Sequence, residues 1–364
     1  MSSLILPSIP ETLFEASAPR RDFLMLAETL GGSLLYPVNR DADSLLSRLE
    51  KRTATDVRQA FAALKRRRSV SVYVSLSEKV GIPLALLLPK SRHDRPAHIL
   101  VGHRLTSPNK RQLQERTGYL HRFDRVIVLA TTQSLYLTQE ARYPAHRVTF
   151  VFDSVDTKFW FGSTPPFGPP APPELGAGGP KGGYLLAVGR ERRDYETLAS
   201  AVRQLPDLGA VVVASSPWSR ATTAIIPGEI PPNMTLRKNL SPVELRGLYA
   251  DASLVVVPLL AGTDYAAGVN ACLEAMAMAK PVLATATPGL ANYCRGDSGE
   301  ELLATVPAGE PVGQLRAAIE SLFADPTRCT RLARAGRQFA EQKANVDTYV
   351  ASIASVVQDS LTER

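Results

Sequence analysis

Short runs of Val, Leu and Ile recur along the chain and alternate with stretches whose apolar positions repeat every three to four residues. In the first half the runs are SLILPSI, SLLYPV, SVSVYVSL, HILVGH, DRVIVLA and RVTFVF. In the second half they are GYLLAVG, GAVVVASS, SLVVVPL and KPVLATA. Continuous apolar runs, rather than alternating ones, predict strands buried on both faces, as in parallel sheets covered by helices. The intervening helical patterns include RRDFLMLAETLGG, a long helix ending near Arg67, YETLASAVRQL and VELRGLYADA. The fold class expected is therefore α/β, with two doubly wound parallel sheets.

Between the two halves lies GSTPPFGPPAPPELGAGGPKGG, residues 162–183, too rich in Pro and Gly for helix or strand. It reads as a linker. The expected division is a first domain over 1–161, the linker, a second domain over 184–345, and a closing helix over 346–364. In that last segment Val346, Tyr349, Val350, Ile353, Val356 and Val357 form a one-sided apolar stripe, which predicts a helix docked on a domain, the N-terminal one in particular.

Composition narrows the class. With 364 residues, 45% apolar and 21% charged, the chain is an ordinary globular protein and not a disordered one. No apolar run is long enough to span a bilayer, and the proline-broken N-terminus lacks the basic segment of a signal peptide. Cys272, Cys294 and Cys329 are odd in number and have no metal-ligand spacing, which suits buried thiols in a reducing cytoplasm. Charge is uneven: through Trp160 basic residues outnumber acidic ones 24 to 15, against 18 to 20 in the remainder. The basic half points to an anionic partner, either an acidic substrate or the inner face of a membrane. Arg20–Arg21 and Lys65–Arg68 are expected to form one such patch. There is no aromatic-interleaved basic stripe, so no nucleic-acid partner is expected.

One carboxylate is out of place. Glu274 sits in NACLEAMAMAKPVLA, a run otherwise almost wholly apolar. An unpaired buried carboxylate is costly or takes up a proton. It needs a cation such as Lys280, or a cleft where a ligand supplies the donors. The preceding loop, LAGTDYAAGVN, carries Gly262 and Gly268 and leads into the helix N-terminus, whose free N–H groups suit phosphate. A carboxylate one turn further in suits a vicinal diol such as a ribose. Together they describe a nucleoside diphosphate.

GVNACLEAMAMAKPVLATATPGL resembles the donor-site signature of retaining GT-B glycosyltransferases of the family-4, or group 1, type. YLLAVGRERRDYETLASAV, NMTLRKNLSPVELRGLYADASLVVVPL, FVFDSVDTKFW and DPTRCTRLARAGRQFAEQ are similar to further ordered segments of that family. The resemblance spans residues 148–364, whereas the first half matches only in architecture. It implies a GT-B fold, two Rossmann-like domains facing across a cleft, and a nucleotide-diphosphate sugar, UDP- or GDP-linked, as donor. By resemblance Glu274 would bind the ribose hydroxyls. Arg190, after Gly189, would meet the diphosphate together with Arg193, or Arg192 if the shorter turn shifts the match. The amides of Gly268 and Val269 would face phosphate or sugar, and His103 would lie near the sugar's primary hydroxyl.

The sequence departs from that pattern where the family has a second glutamate eight residues earlier: the position is Ala266, with Asp264 nearby. The mechanism implied is a retaining hexosyl transfer to a sugar, lipid-linked or small-molecule hydroxyl. It uses no metal or other cofactor and no enzyme nucleophile. The alternative left open by Ala266 is a non-catalytic or partner-dependent nucleotide-sugar binder. A metal-dependent glycosyltransferase using Asp41-Ala42-Asp43 is disfavoured, because Asp at a helix start is an ordinary cap.

Overall fold

The computed structural model describes residues 2–10, 18–38, 45–161, 183–214, 229–309 and 312–363. The linker over 162–182 and the Asp41–Asp43 pair lie outside them. The chain divides into two compact units, one of residues 1–15, 20–152 and 346–364, the other of 16–19 and 153–345.

The first unit begins β1 (Ser3–Leu6), α1 (Asp22–Thr29), β2 (Ser33–Leu34), α2 (Leu45–Thr53) and α3 (Val57–Lys65). It continues with β3 (Val72–Ser75), α4 (Glu78–Leu87), β4 (Ala97–Gly102), α5 (Pro108–Thr117), β5 (Arg125–Val128), α6 (Thr131–Leu135) and β6 (Val148–Phe150). The strands form one parallel sheet in the order β2-β1-β3-β4-β5-β6, which reverses direction between β1 and β3. Leu4, Leu6 and Tyr73 pack with Ala60, Ala63, Val80 and Leu84, so α3 and α4 cover one face. Ile5 points the other way, toward Gly32 just past α1.

Where the pattern suggests one long helix up to Arg67, the structure has two. Ala54 adopts φ +52°, a left-handed conformation that no helix continues through, and Asp56 starts the second helix while donating its N–H to the Lys79 carbonyl. The Glu50–Arg58 ion pair, 2.7 Å, holds the two segments together.

The second unit comprises β7 (Tyr184–Val188), α7 (Tyr195–Arg203), β8 (Ala210–Val213), β9 (Met234–Arg237), α8 (Pro242–Asp251) and β10 (Ala252–Val257). It ends with α9 (Val269–Ala277), β11 (Val282–Ala286), β12 (Ala304–Pro307), α10 (Val312–Ala324) and α11 (Pro326–Gln342). Its parallel sheet runs β12-β11-β10-β7-β8-β9, so the order reverses between β7 and β10. Open parallel sheets bind ligands outside the carboxyl ends of the strands at such a reversal.

The last helix, α12 (Val346–Thr362), belongs to the first unit. It packs on α1 and reaches β3, β4 and β5, with all six residues of its apolar stripe buried. Each side chain of that kind contributes about 1.5–3 kcal/mol relative to exposure. The passage between units falls at Phe152–Asp153 and not at residue 161. Residues 153–161 are bound to the second unit: Val155 pairs with Asn345, Trp160 stacks edge-on against Tyr249, and Arg246 lies over Phe159.

Candidate functional site

Two loops meet at the reversal of the second sheet, and the sequence shapes each. After β7 the chain turns through Gly189 (φ +111°) and Arg192 (φ +56°) into α7, capped by Asp194, which accepts from the Thr197 N–H at 3.1 Å. After β10 it runs through Gly262 (φ +69°) to Gly268 (φ +88°), the residue that opens α9. A Cβ on Gly268 would stand 2.9 Å from Val257, so close contact as well as the backbone angle calls for glycine there.

The loops are stitched together. Leu260 donates to the Arg192 carbonyl at 2.9 Å, Asp194 to Pro258 at 3.1 Å, and Arg192 Nη2 to Ala261 at 2.9 Å. The Tyr265 hydroxyl donates to Glu191 Oε1 at 2.8 Å. Sequence reasoning missed this Glu191–Tyr265 tie, which no spacing rule announces because 74 residues separate its partners.

Glu274 lies in α9 beside this junction, partly buried. The Tyr249 hydroxyl donates to its Oε2 at 2.8 Å. Among the described residues nothing donates to Oε1. Burial pushes its pKa up, the Tyr249 hydrogen bond and the Arg193 charge draw it down, and it settles at about 7. Lys280 is not its partner: the ammonium donates to the Ala250 carbonyl at 2.5 Å, and the charge it feels is that of Asp251. Among the described residues no Lys or Arg forms a direct ion pair with Glu274; the nearby cation is Arg193, which acts on it through its charge alone.

The arginines divide. Arg193 is buried, its Nε donating to Val188 at 3.0 Å and its Nη1 to Glu191 at 2.9 Å. Nη2 lies over Gly189, where any Cβ would stand 2.2 Å away. Arg193 thus locks the turn while presenting its charge to Glu274. Arg190 is half-buried on the same turn. Gly189, Arg190, Arg193, Gly268, Val269 and Glu274 are all brought to the carboxyl edge of this one sheet at its reversal. The Val269 N–H reaches back to Ala266 at 3.4 Å, a long bond.

His103 lies in the other unit, exposed just beyond β4, its Nε2 donating to the Leu76 carbonyl at 3.1 Å. Beside it is a residue that the sequence does not single out. Glu78, buried in the first turn of α4, accepts the Arg104 N–H at 2.6 Å and Lys110 Nζ at 3.0 Å. Burial would raise its pKa, but Lys110, His103 and the Arg104 N–H outweigh that and hold it at about 2.

Burial raises the pKa of all three thiols, Cys272 to about 12, and Cys294 and Cys329 donate to nearby carbonyls. Among the described residues no group of three or more His, Cys, Asp or Glu side chains is placed to hold a metal ion. No described helix is long and apolar enough to cross a membrane.

Residues 182–325, which contain Gly189, Arg190, Arg193, Gly268, Val269 and Glu274, match the family model described as Glycosyl transferases group 1. That stretch is similar to the group 1 glycosyl transferases. Among solved structures, the sucrose-phosphate synthase of Thermosynechococcus elongatus is similar over 100% of both chains, with TM-score 0.73 and 17% identity. HepE of Anabaena, solved in complex with UDP-glucose, is similar over 99% of this chain and 100% of its own, with TM-score 0.68 and 15% identity. WaaG, a glycosyltransferase involved in lipopolysaccharide biosynthesis, is similar over 98% and 99%, with TM-score 0.61 and 16% identity. At these identities the likeness carries the fold, which is GT-B. No curated protein matches the sequence.

Proposed function

We propose that the group 1 domain binds a nucleotide-diphosphate sugar and that the protein transfers the sugar to a hydroxyl acceptor, with retention and without a metal. The observation that carries this is Glu274: a carboxylate with one donor on Oε2 and, among the described residues, none on Oε1, set beside a glycine-opened helix N-terminus and an arginine turn. The ribose diol supplies the donors that the protein omits. Arg190, Arg193 and the N–H groups of Gly268 and Val269 face the diphosphate and stabilise the charge that develops as it leaves. The acceptor hydroxyl attacks from the face the diphosphate vacates and gives its proton to a donor phosphate oxygen, so no enzyme nucleophile is needed. The UDP-glucose in HepE makes UDP-sugars the first donors to try, with GDP-sugars second.

The test is turnover with UDP- and GDP-sugars in excess chelator, with the anomeric configuration of the product read by NMR. Release of nucleoside diphosphate with an inverted product, or only on adding a divalent ion, refutes the mechanism. Tight binding without turnover favours the second reading, a nucleotide-sugar binder or partner-dependent subunit, for which Ala266 is the motivating observation.

An anionic membrane surface, on the cytoplasmic side, is proposed as a partner of α2 and α3. Leu46, Leu49 and Phe61 are 48%, 47% and 45% exposed there, among the exposed Lys51, Arg52 and Lys65–Arg68. Arg20–Arg21 does not extend this patch. It opens α1, on the opposite face of the sheet from α3, and Arg20 pairs with Asp347 at 2.8 Å. Binding to vesicles with anionic lipid that weakens as salt rises is expected, and Lys65→Glu with Arg67→Glu abolishes it; binding indifferent to both excludes this partner.

A further inference from the structure

Glu274 is held by a chain of contacts that starts outside the group 1 match. Trp160, 4% exposed, packs edge-on against Tyr249 with ring centroids 5.5 Å apart. Tyr249 is fully buried on α8, and its hydroxyl has two acceptors in reach, Glu274 Oε2 at 2.8 Å and the Ala271 carbonyl at 3.5 Å. The shorter, charge-assisted bond is the strong one. With the Tyr249 hydroxyl on Oε2, the carboxylate oxygen left over among the described residues is Oε1.

We infer that Tyr249 is a positioning residue for the donor: its hydroxyl fixes Glu274 Oε2 so that Oε1 is left to accept from the ribose diol. This rests on the reading of Glu274 as a ribose ligand. The same bond favours the ionised carboxylate, the form that can accept two hydroxyls. The charged and titratable neighbours of Glu274 are few. The β7–α7 turn supplies Arg193, α8 supplies Tyr249, and α9 itself supplies Cys272, a thiol neutral at physiological pH. From α11 comes Arg337, which donates to the Ala277 carbonyl and pairs with Glu341. The strands beneath, β10 and β11, carry no charge. Among the described residues Tyr249 and Arg193 are what favour the ionised form of Glu274 against the burial that opposes it, and of the two Tyr249 hydrogen-bonds to it.

The experiment compares wild type, Tyr249→Phe and Glu274→Gln in two measurements. In the first, the carboxyl of Glu274 is titrated by 13C NMR in the empty protein, its signal assigned by its loss in Glu274→Gln. The midpoint is expected near pH 7 in wild type and higher in Tyr249→Phe; an unmoved midpoint overturns the inference whatever the protein binds. In the second, UDP and GDP are titrated across pH. Tyr249→Phe is expected to raise Kd about tenfold at pH 7 and much less at pH 9, with kcat changed less than KM. A purely structural role would raise Kd equally at every pH, and wild-type affinity at every pH would likewise overturn the inference. If wild type binds neither nucleotide, the ribose reading of Glu274 fails and takes the donor role of Tyr249 with it. The NMR arm still decides whether the phenol governs the carboxylate.

Discussion

In each unit a helix that follows a parallel strand carries a carboxylate withdrawn from solvent, Glu78 in the first turn of α4 and Glu274 in the second turn of α9, and the two are treated in opposite ways. Glu78 receives the Arg104 N–H and the Lys110 ammonium and is held ionised, at about 2. Glu274 receives one phenol and stays near 7, within reach of its protonated form in the empty protein. A carboxylate whose donors all come from the chain is finished by folding. One that is left short is finished by something else. On the proposed function, the contrast is that between a structural acid and a binding one.

The sharpest way to break this contrast is to remove each acid in turn. Glu274→Ala is expected to weaken nucleoside diphosphate binding by about 100-fold or more, since two charge-assisted hydrogen bonds are lost. Its folding should be unharmed. Glu78→Gln should do the reverse, lowering unfolding free energy by about 3 kcal/mol because the Lys110 ammonium loses its counter-charge and the Arg104 N–H its charged acceptor. Nucleotide affinity should hold. Urea unfolding and calorimetry on both variants check the pair of outcomes. If Glu78→Gln instead lowers affinity with little loss of stability, the roles assigned here are wrong.

Acid sharpens the comparison, because the two shifts have opposite signs. Glu78 has a folded pKa below the ordinary 4.5, so its stabilisation is complete above pH 4.5 and is lost as pH falls toward 2. Glu274 has a folded pKa above 4.5, so it favours the fold below pH 4.5 and gives up that contribution as pH rises to 7. Glu274→Gln should therefore stabilise the empty protein at pH 8 by on the order of 2 kcal/mol and have little effect at pH 4. Thermal unfolding at the two pH values reads this directly. The smallest expected effect is that of Lys280→Met. Because Lys280 serves the Ala250 carbonyl and not Glu274, nucleotide Kd should change by less than about twofold.

How much of this was legible in the sequence differs between fold and site. The central strands announce themselves as Val- and Leu-rich runs because they are covered on both faces. The edges of the second sheet do not: β9 reads MTLR and β12 reads ATVP, half-exposed strands whose polar residues dilute the signal. The break between α2 and α3 is invisible because Ala54 is a good helix former, and only the packing of the next helix forces it left-handed. At the site, the isolation of Glu274 among Ala, Leu and Met is a local feature that the sequence carries. Its partner is not local. Tyr249 lies 25 residues away on another helix and reads as one more core aromatic. The resemblance implies a phosphate ligand at Arg193, yet two of its donors are spent on backbone carbonyls, a detail that depends on Gly189 leaving room.

The most direct measurement is the dissociation constant of UDP and of GDP from wild type and Glu274→Ala, by calorimetry from about pH 5 to pH 8.5. Wild type should bind one of them firmly above pH 7.5 and lose about tenfold for each pH unit below 7, as one carboxylate takes up its proton. Glu274→Ala should bind weakly and with no such dependence. Affinity that is flat with pH and unchanged by Glu274→Ala would contradict the account, leaving Glu274 a core residue and the sheet reversal without its ligand.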